Sequence, residues 1–152
     1  MAKQSAGLLC YRTKDGLLEL FLVHPGGPFW KNKDKGAWSI PKGEFTAEPP
    51  LDAARRELQE ETGFNVRGPF IELTPIKQKG GKWVYAFAAA ADFDPADLKS
   101  NTFTMKFASG SSKEYPEVDQ ADWFSIEEAK EKILEAQTKL VTELADKLAT
   151  FD

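Results

Sequence analysis

Apolar and polar positions along this chain alternate with two different periods, and the switches between them mark out its elements. Residues 6–11 and 17–24 read as two strands joined by the turn Lys14-Asp15-Gly16. Pro25-Gly26-Gly27-Pro28 then breaks the pattern and opens a loop running to about Gly36. A short strand at 38–40 ends at Pro41-Lys42-Gly43. The spacing then predicts a helix over 50–62, with Pro50 tolerated in a first turn whose N–H groups are unpaired anyway. Gly63 is placed to close it as a left-handed cap. Further strands are predicted at 65–73, 83–91 and 102–107, and a short extended piece at 116–124. Trp83-Val84-Tyr85-Ala86-Phe87-Ala88 has the composition of a central strand. One last helix begins with the capping box Ser125/Glu128 and carries a stripe of Ile126, Ala129, Ile133, Ala136, Leu140, Leu144 and Leu148. A mixed sheet with helices on both faces, an α/β (α+β) fold, is the simplest assembly of these pieces.

The 152 residues fit a single domain over 1–152, and a 41% hydrophobic fraction is ordinary for a soluble globular chain. No apolar run approaches the roughly 18 residues a membrane span needs, and the first residues carry no apolar signal core, so a cytoplasmic protein is expected. A net charge of −4 argues against bulk nucleic-acid binding. The single cysteine, Cys10, lies beside Leu8 and Leu9 and reads as a packed strand residue. His24 is the only histidine, which excludes a two-histidine metal site; it ends an apolar strand and reads as a strand-edge residue.

Charge changes the picture in one place. At roughly 100° per residue, Glu57, Glu60 and Glu61 fall on one side of the 50–62 helix, beside an apolar stripe of Leu51, Ala54 and Leu58. Like charges at this spacing disfavour a helix by roughly 0.2–0.5 kcal/mol per pair. Acidic helix faces are common, so repulsion alone decides little. The setting matters more: the carboxylates follow a glycine-containing loop with Glu48 upstream. Mg²⁺ prefers such hard oxygen ligands and keeps waters and substrate phosphates in its shell. Lysines gather nearby at Lys31, Lys33, Lys35, Lys42, Lys77, Lys79 and Lys82, where they serve solubility or hold an anionic substrate.

The run from Gly43 through Glu48 to Arg56-Glu57-Leu58-Gln59-Glu60-Glu61-Thr62-Gly63-Phe64 resembles the box of the Nudix hydrolases, G-x5-E-x7-R-E-U-x-E-E-x-G-U, where U is a bulky apolar residue. It departs by one residue, with four rather than five between Gly43 and Glu48. Trp38 to Gly43 looks like the strand entering such a box, and Trp123-Phe124-Ser125 like the family's closing segment. The likeness covers roughly residues 6–140. It implies a Nudix-like α/β/α sandwich with a mixed, curled central sheet.

The resemblance also implies roles. Glu57, Glu60 and Glu61 would be the main ligands of Mg²⁺, with Mn²⁺ as a substitute. The Gly43 carbonyl would add an oxygen, and Glu48 would support the loop or the metal shell. Arg56 would orient one of the glutamates. The general base stays open between Glu60 or Glu61 and the distal Glu117. The implied reaction is attack of water on a phosphorus of a diphosphate group in a nucleoside diphosphate derivative, such as a nucleoside triphosphate, a dinucleoside polyphosphate or a nucleotide sugar. Lys42 is the first phosphate-contact candidate, followed by Lys35 and Lys106. Phe29 and Trp30 either stack on a base or pin their loop to the core. Trp38, Trp83 and Trp123 read as structural. Two alternatives stand beside the hydrolase: a nucleotide-binding domain without turnover, motivated by the short loop, and a diphosphate isomerase, which would want Cys10 reactive. A homodimer is compatible with the long last helix.

Overall fold

The computed structural model describes residues 3–149; the outermost ends of the predicted 1–152 domain lie outside the described residues. Strands β1 (Gln4–Lys14) and β2 (Leu17–Pro25) form the predicted hairpin, turning at Asp15 and Gly16, both with positive φ. Strand β3 (Lys42–Glu44) pairs antiparallel with the start of β1. Helix α1 (Pro50–Thr62) has the predicted span, and Gly63 caps it at φ 80°, its N–H donating to the Gln59 carbonyl. Then come β4 (Ile71–Glu72), β5 (Ile76–Lys77), β6 (Trp83–Ala90), β7 (Thr102–Lys106), β8 (Ser112–Pro116) and β9 (Val118–Ser125). Helices α2 (Ile126–Lys132) and α3 (Thr138–Ala149) finish the chain.

The main sheet runs β4-β6-β1-β2-β9, with β3 on β1 and β5 on β6, and it is mixed: β1 and β6 are parallel while the other pairs are antiparallel. Two apolar clusters cover its faces. Alternate β1 residues Ala6, Leu8 and Cys10 meet Ala53, Ala54 and Leu58 of α1, while Leu9 faces Ala129 of α2, Leu140 and Leu144 of α3, and Ile133 between those helices. This is the layered arrangement the residue pattern predicts. Cys10 is fully buried, and burial alone pushes its thiol up to about 12.

Four expected elements come out differently, and β5 and β8 are strands the residue pattern did not predict. The last helix is two helices, because the backbone at Ile133 is claimed by Trp38. Trp38 N–H donates to the Lys132 carbonyl and Leu134 N–H to the Trp38 carbonyl, so Ile133 goes extended and a single 3₁₀ turn intervenes. Segment 38–40 is itself only bridged, Ser39 to Val23 and Trp38 to Ile133, and the regular strand begins at Lys42. The strand expected over 65–73 keeps only Ile71–Glu72, since Gly68 and Pro69 interrupt it and proline has no N–H for the ladder. The extended piece at 116–124 is instead a full strand, β9, paired along β2. In α1 the buried apolar positions are Ala53, Ala54 and Leu58, with Leu51 half-buried.

Trp38 and Trp123 are buried, the latter donating its indole N–H to the Phe93 carbonyl, whereas Trp83 stays 39% exposed. His24 is buried rather than at an open edge. Its ring bonds Asp119 at 2.8 Å and the Lys33 carbonyl at 2.6 Å, tying the 25–36 loop to the sheet.

Candidate active site

The site forms where α1 crosses the end of β1 and β3. Leu58, Ala53 and Ala54 anchor the helix in the core, which turns the carboxylates of Glu57, Glu60 and Glu61 toward one cleft. Arg56 gathers its neighbours. Its Nε and Nη2 donate to Glu48, and its Nη1 donates to Glu57 at 2.9 Å and to Glu60 at 3.3 Å. Despite the shorter loop, Glu48 therefore reaches Arg56, and these carboxylates raise the guanidinium's affinity for its proton.

Glu61 does not touch Arg56; it meets the cluster through Glu57 and lies against the backbone amide of Lys42. Burial first, and the charge of Glu57 second, push its carboxyl up to about 9. Glu57 is raised as well, by burial and then by Glu60. Lys42 is lowered, by burial and then by repulsion from Lys82. Gly43 serves by having no side chain: a Cβ there would meet all three carboxyl atoms of Glu57 inside 3.0 Å.

Two chambers adjoin. The polar one, about 420 Å³, is lined by Glu57, Glu60, Glu61, Gly43, Ser5 and Lys82 among others. The more apolar one, about 230 Å³, includes Val23, Trp30, Ala37, Ile40 and Leu134. Lys42, Glu61 and Glu117 line both and mark the join.

Of the candidates read from the sequence, Glu57, Glu60, Glu61, Gly43, Lys42 and Glu117 meet at this cleft, with Arg56 and Glu48 behind the helix glutamates. Trp30 lines the apolar chamber. Phe29 is 64% exposed, edge-on to Trp30 and capped by the Lys33 ammonium at 3.6 Å from its ring centre, so it neither lines the chamber nor enters the core. Lys35 and Lys106 are exposed and line neither chamber. Sequence reasoning did not single out Ser5, Asn101 or Gln137, and Lys82 entered it only within a lysine cluster. Gln137 is fully buried and holds segment 39–40 through Ile40 N–H and Ser39 Oγ.

A family model of the NUDIX domain matches residues 1–144. The chain belongs to the Nudix domain family. It is a family of pyrophosphohydrolases, the enzyme class read from the box. Solved structures similar to this Nudix chain share its fold. A Caenorhabditis elegans Ap4A hydrolase, solved as a binary complex, is 21% identical over 98% of this chain and 99% of its own, with a TM-score of 0.67. The Nudix domain of Shewanella oneidensis NrtR, complexed with ADP ribose, is 14% identical over 97% and 89%, with a TM-score of 0.70. A Nudix hydrolase from Nitrosomonas europaea is 21% identical over 99% and 90%, at 0.62.

The donor set of this Nudix site suits a hard divalent cation. Glu57 and Glu61 are crowded together, and burial and mutual repulsion favour their protonated forms despite Arg56 and Lys42 nearby, so a divalent cation would relieve them; the oxygen-only donor set matches Mg²⁺. Among the described residues no three carboxylate, thiol or imidazole groups already converge as a finished cage. Arg56 instead holds Glu57 and Glu60 on one nitrogen.

Proposed function

We propose that this Nudix protein is a Mg²⁺-dependent hydrolase that cleaves the diphosphate linkage of a nucleoside diphosphate derivative, such as a nucleoside triphosphate, a dinucleoside polyphosphate or a nucleotide sugar. The supporting observation is the juxtaposition of two chambers, one carboxylate-lined and one apolar, at Lys42, Glu61 and Glu117. A diphosphate spans such a join, with its charged part over α1 and an aromatic group beside Trp30.

Glu57, Glu60, Glu61 and the Gly43 carbonyl would hold Mg²⁺ or Mn²⁺, which would supply Lewis acidity to the site. The protein's own groups do the rest. Arg56 orients Glu57 and Glu60 from behind. Lys42 neutralises charge on the phosphate oxygens as it builds up. Glu117, or Glu61 once the proton it otherwise carries is displaced by a bound cation, takes the proton from the attacking water, and both stand at the join where the scissile bond would lie. Stacking on Trp30 would add roughly 1–3 kcal/mol of base-tolerant affinity. Cys10, buried in the sheet with its thiol pushed up to about 12, has no part in this chemistry, and that weighs against the isomerase alternative.

The test is incubation with Mg²⁺ and a panel of nucleotides, dinucleoside polyphosphates, nucleotide sugars and inositol pyrophosphates, read by phosphorus NMR in heavy-oxygen water. Cleavage of a diphosphate with label in one product, lost in Glu61→Gln, supports the reading. Binding of nucleotides by calorimetry without turnover by the wild type, with either Mg²⁺ or Mn²⁺, would replace it with the binding domain.

A further inference from the structure

Ser5 sits on β1, opposite Glu44 of β3 and Val84 of β6. Its residue is wholly buried, and its hydroxyl is the one buried side-chain polar atom among the described residues that has no hydrogen-bond partner. A buried hydroxyl left in this state costs about 1–3 kcal/mol, so it calls for a purpose. The location supplies one, because Ser5 lines the same polar chamber as the α1 glutamates.

Its neighbours on that side of the chamber are cations. Lys42 follows from β3, and Lys82 immediately precedes β6. Their ammonium groups are close enough to repel one another. Lys82 is paired with Glu44 at 3.3 Å, while Lys42 has no carboxylate within ion-pair distance among the described residues. A hydroxyl that can donate, beside a half-buried ammonium with no ion-pair partner and a second ammonium, is a set of donors awaiting an acceptor of several lone pairs. Lys82 already has Glu44, and Lys42 feels carboxylates only at a distance, so a neutral group would leave Lys42 without a direct partner, whereas a phosphoryl group offers acceptors to all three donors.

We propose that Ser5, Lys42 and Lys82 form a phosphoryl subsite on the β1–β3 side of the cleft, in which the Ser5 O–H donates directly to a phosphate oxygen of the substrate. This rests on the diphosphate reading and refines it: one phosphate lies over the glutamates of α1, and the other is held by this trio. Ser5 is then a substrate contact lying outside the Gly43–Phe64 box.

The assignment has a signature of opposite signs. Ser5→Ala removes a group that has no protein partner, so the ligand-free protein should melt at the same temperature as the wild type or higher. Its affinity for methylenediphosphonate, a diphosphate analogue that water cannot cut, should fall at least tenfold by calorimetry with Mg²⁺ present. Ser5→Cys, with a weak S–H donor, should lie between. A melting temperature lowered by several degrees in Ser5→Ala would show a protein partner for the hydroxyl and overturn the proposal. Equal affinity in wild type and variant, or no binding by the wild type, would overturn it too. Turnover of the nucleotide panel by the wild type is scored separately, so the subsite can fall while the hydrolase reading stands.

Discussion

Replacing Gly43 by alanine should disable the site while leaving the fold intact. Gly43 is absent from the positive-φ glycines, so an added methyl brings no backbone strain. It brings a collision instead: the new carbon would lie inside 3.0 Å of the carboxyl carbon and both oxygens of Glu57, where ordinary contact is 3.4–4 Å. The carboxylate is the end of a flexible side chain, so it yields rather than β3, retreating by roughly an ångström. Because overpacking costs about 1–3 kcal/mol when backbone must move, the stability loss here should sit near the bottom of that range. Catalysis is less forgiving. A displacement of about 1 Å in a catalytic group can cost about 10²-fold, equivalent to about 2.7 kcal/mol of barrier at about 1.36 kcal/mol per tenfold. The expected result is a kcat lowered about a hundredfold, on the substrate that the panel identifies, with a urea midpoint close to wild type. Shortening the displaced residue gives an internal control. Glu57→Asp should harm the wild type more than it harms the Gly43→Ala protein, since the aspartate makes room for the methyl. Full activity in Gly43→Ala, or a loss matched by unfolding, would refute the idea that Gly43 exists to seat Glu57.

Three other outcomes follow from the same structure. The folded state holds a proton on Glu61 up to about pH 9 against the usual 4.5, so the metal-free protein should lose stability as pH rises from about 5 to 9; melts in EDTA should show this, and Glu61→Gln or added Mg²⁺ should flatten the trend. Cys10 should not react with a thiol reagent at pH 8 while the protein is folded and should react fully in guanidinium, because burial holds the thiol at about 12; rapid labelling of the native protein would contradict that. Gln137→Met leaves the buried Ile40 amide unpaired and takes one hydrogen bond each from the Ser39 and Gln78 side chains, and should lower unfolding free energy by about 2–3 kcal/mol in urea titration, given about 1–3 kcal/mol for a buried polar group left unpaired.

The parts legible in the sequence were those governed by local periodicity and by residue types at fixed spacing. Helix α1 could be bounded to the residue because Pro50 starts it, Gly63 ends it and Ala53, Ala54 and Leu58 bury one side. The β1–β2 hairpin was legible through its Asp15-Gly16 turn. The failures share a cause, which is competition from distant backbone. The apolar stripe from Ile126 to Leu148 is continuous, yet Trp38 takes the hydrogen bonds of residues 132 and 134 and splits the helix. No pattern near Ile133 carries that information. The same holds for the cleft: Gly43, Glu57, Glu60 and Glu61 could be grouped from spacing, whereas Ser5 and Lys82 join them only because β1 pairs with β3 and β6. Phe29 and Trp30 looked equivalent in sequence, and the loop turns only Trp30 into the chamber.

The strap across residues 36–40 has a consequence for biosynthesis. Gly36 donates to the Glu131 carbonyl, Trp38 to that of Lys132, and Ile40 to a side chain 97 residues further on. A nascent chain that has just cleared the ribosome through residue 100 already owns every glutamate of α1, along with Ser5 and Lys82. The segment leading into Lys42 and Gly43 can by then bond to Val23 and Leu8, but its other side stays uncovered until residues 131–137 emerge. The second half of the pairing that holds this segment therefore closes a loop of 97 residues, which is the slow kind of contact to form. Full binding competence should arrive only after residues 131–137 have been made, and fragments ending after α1 or β6 should carry the motif with a weakened ability to hold a ligand.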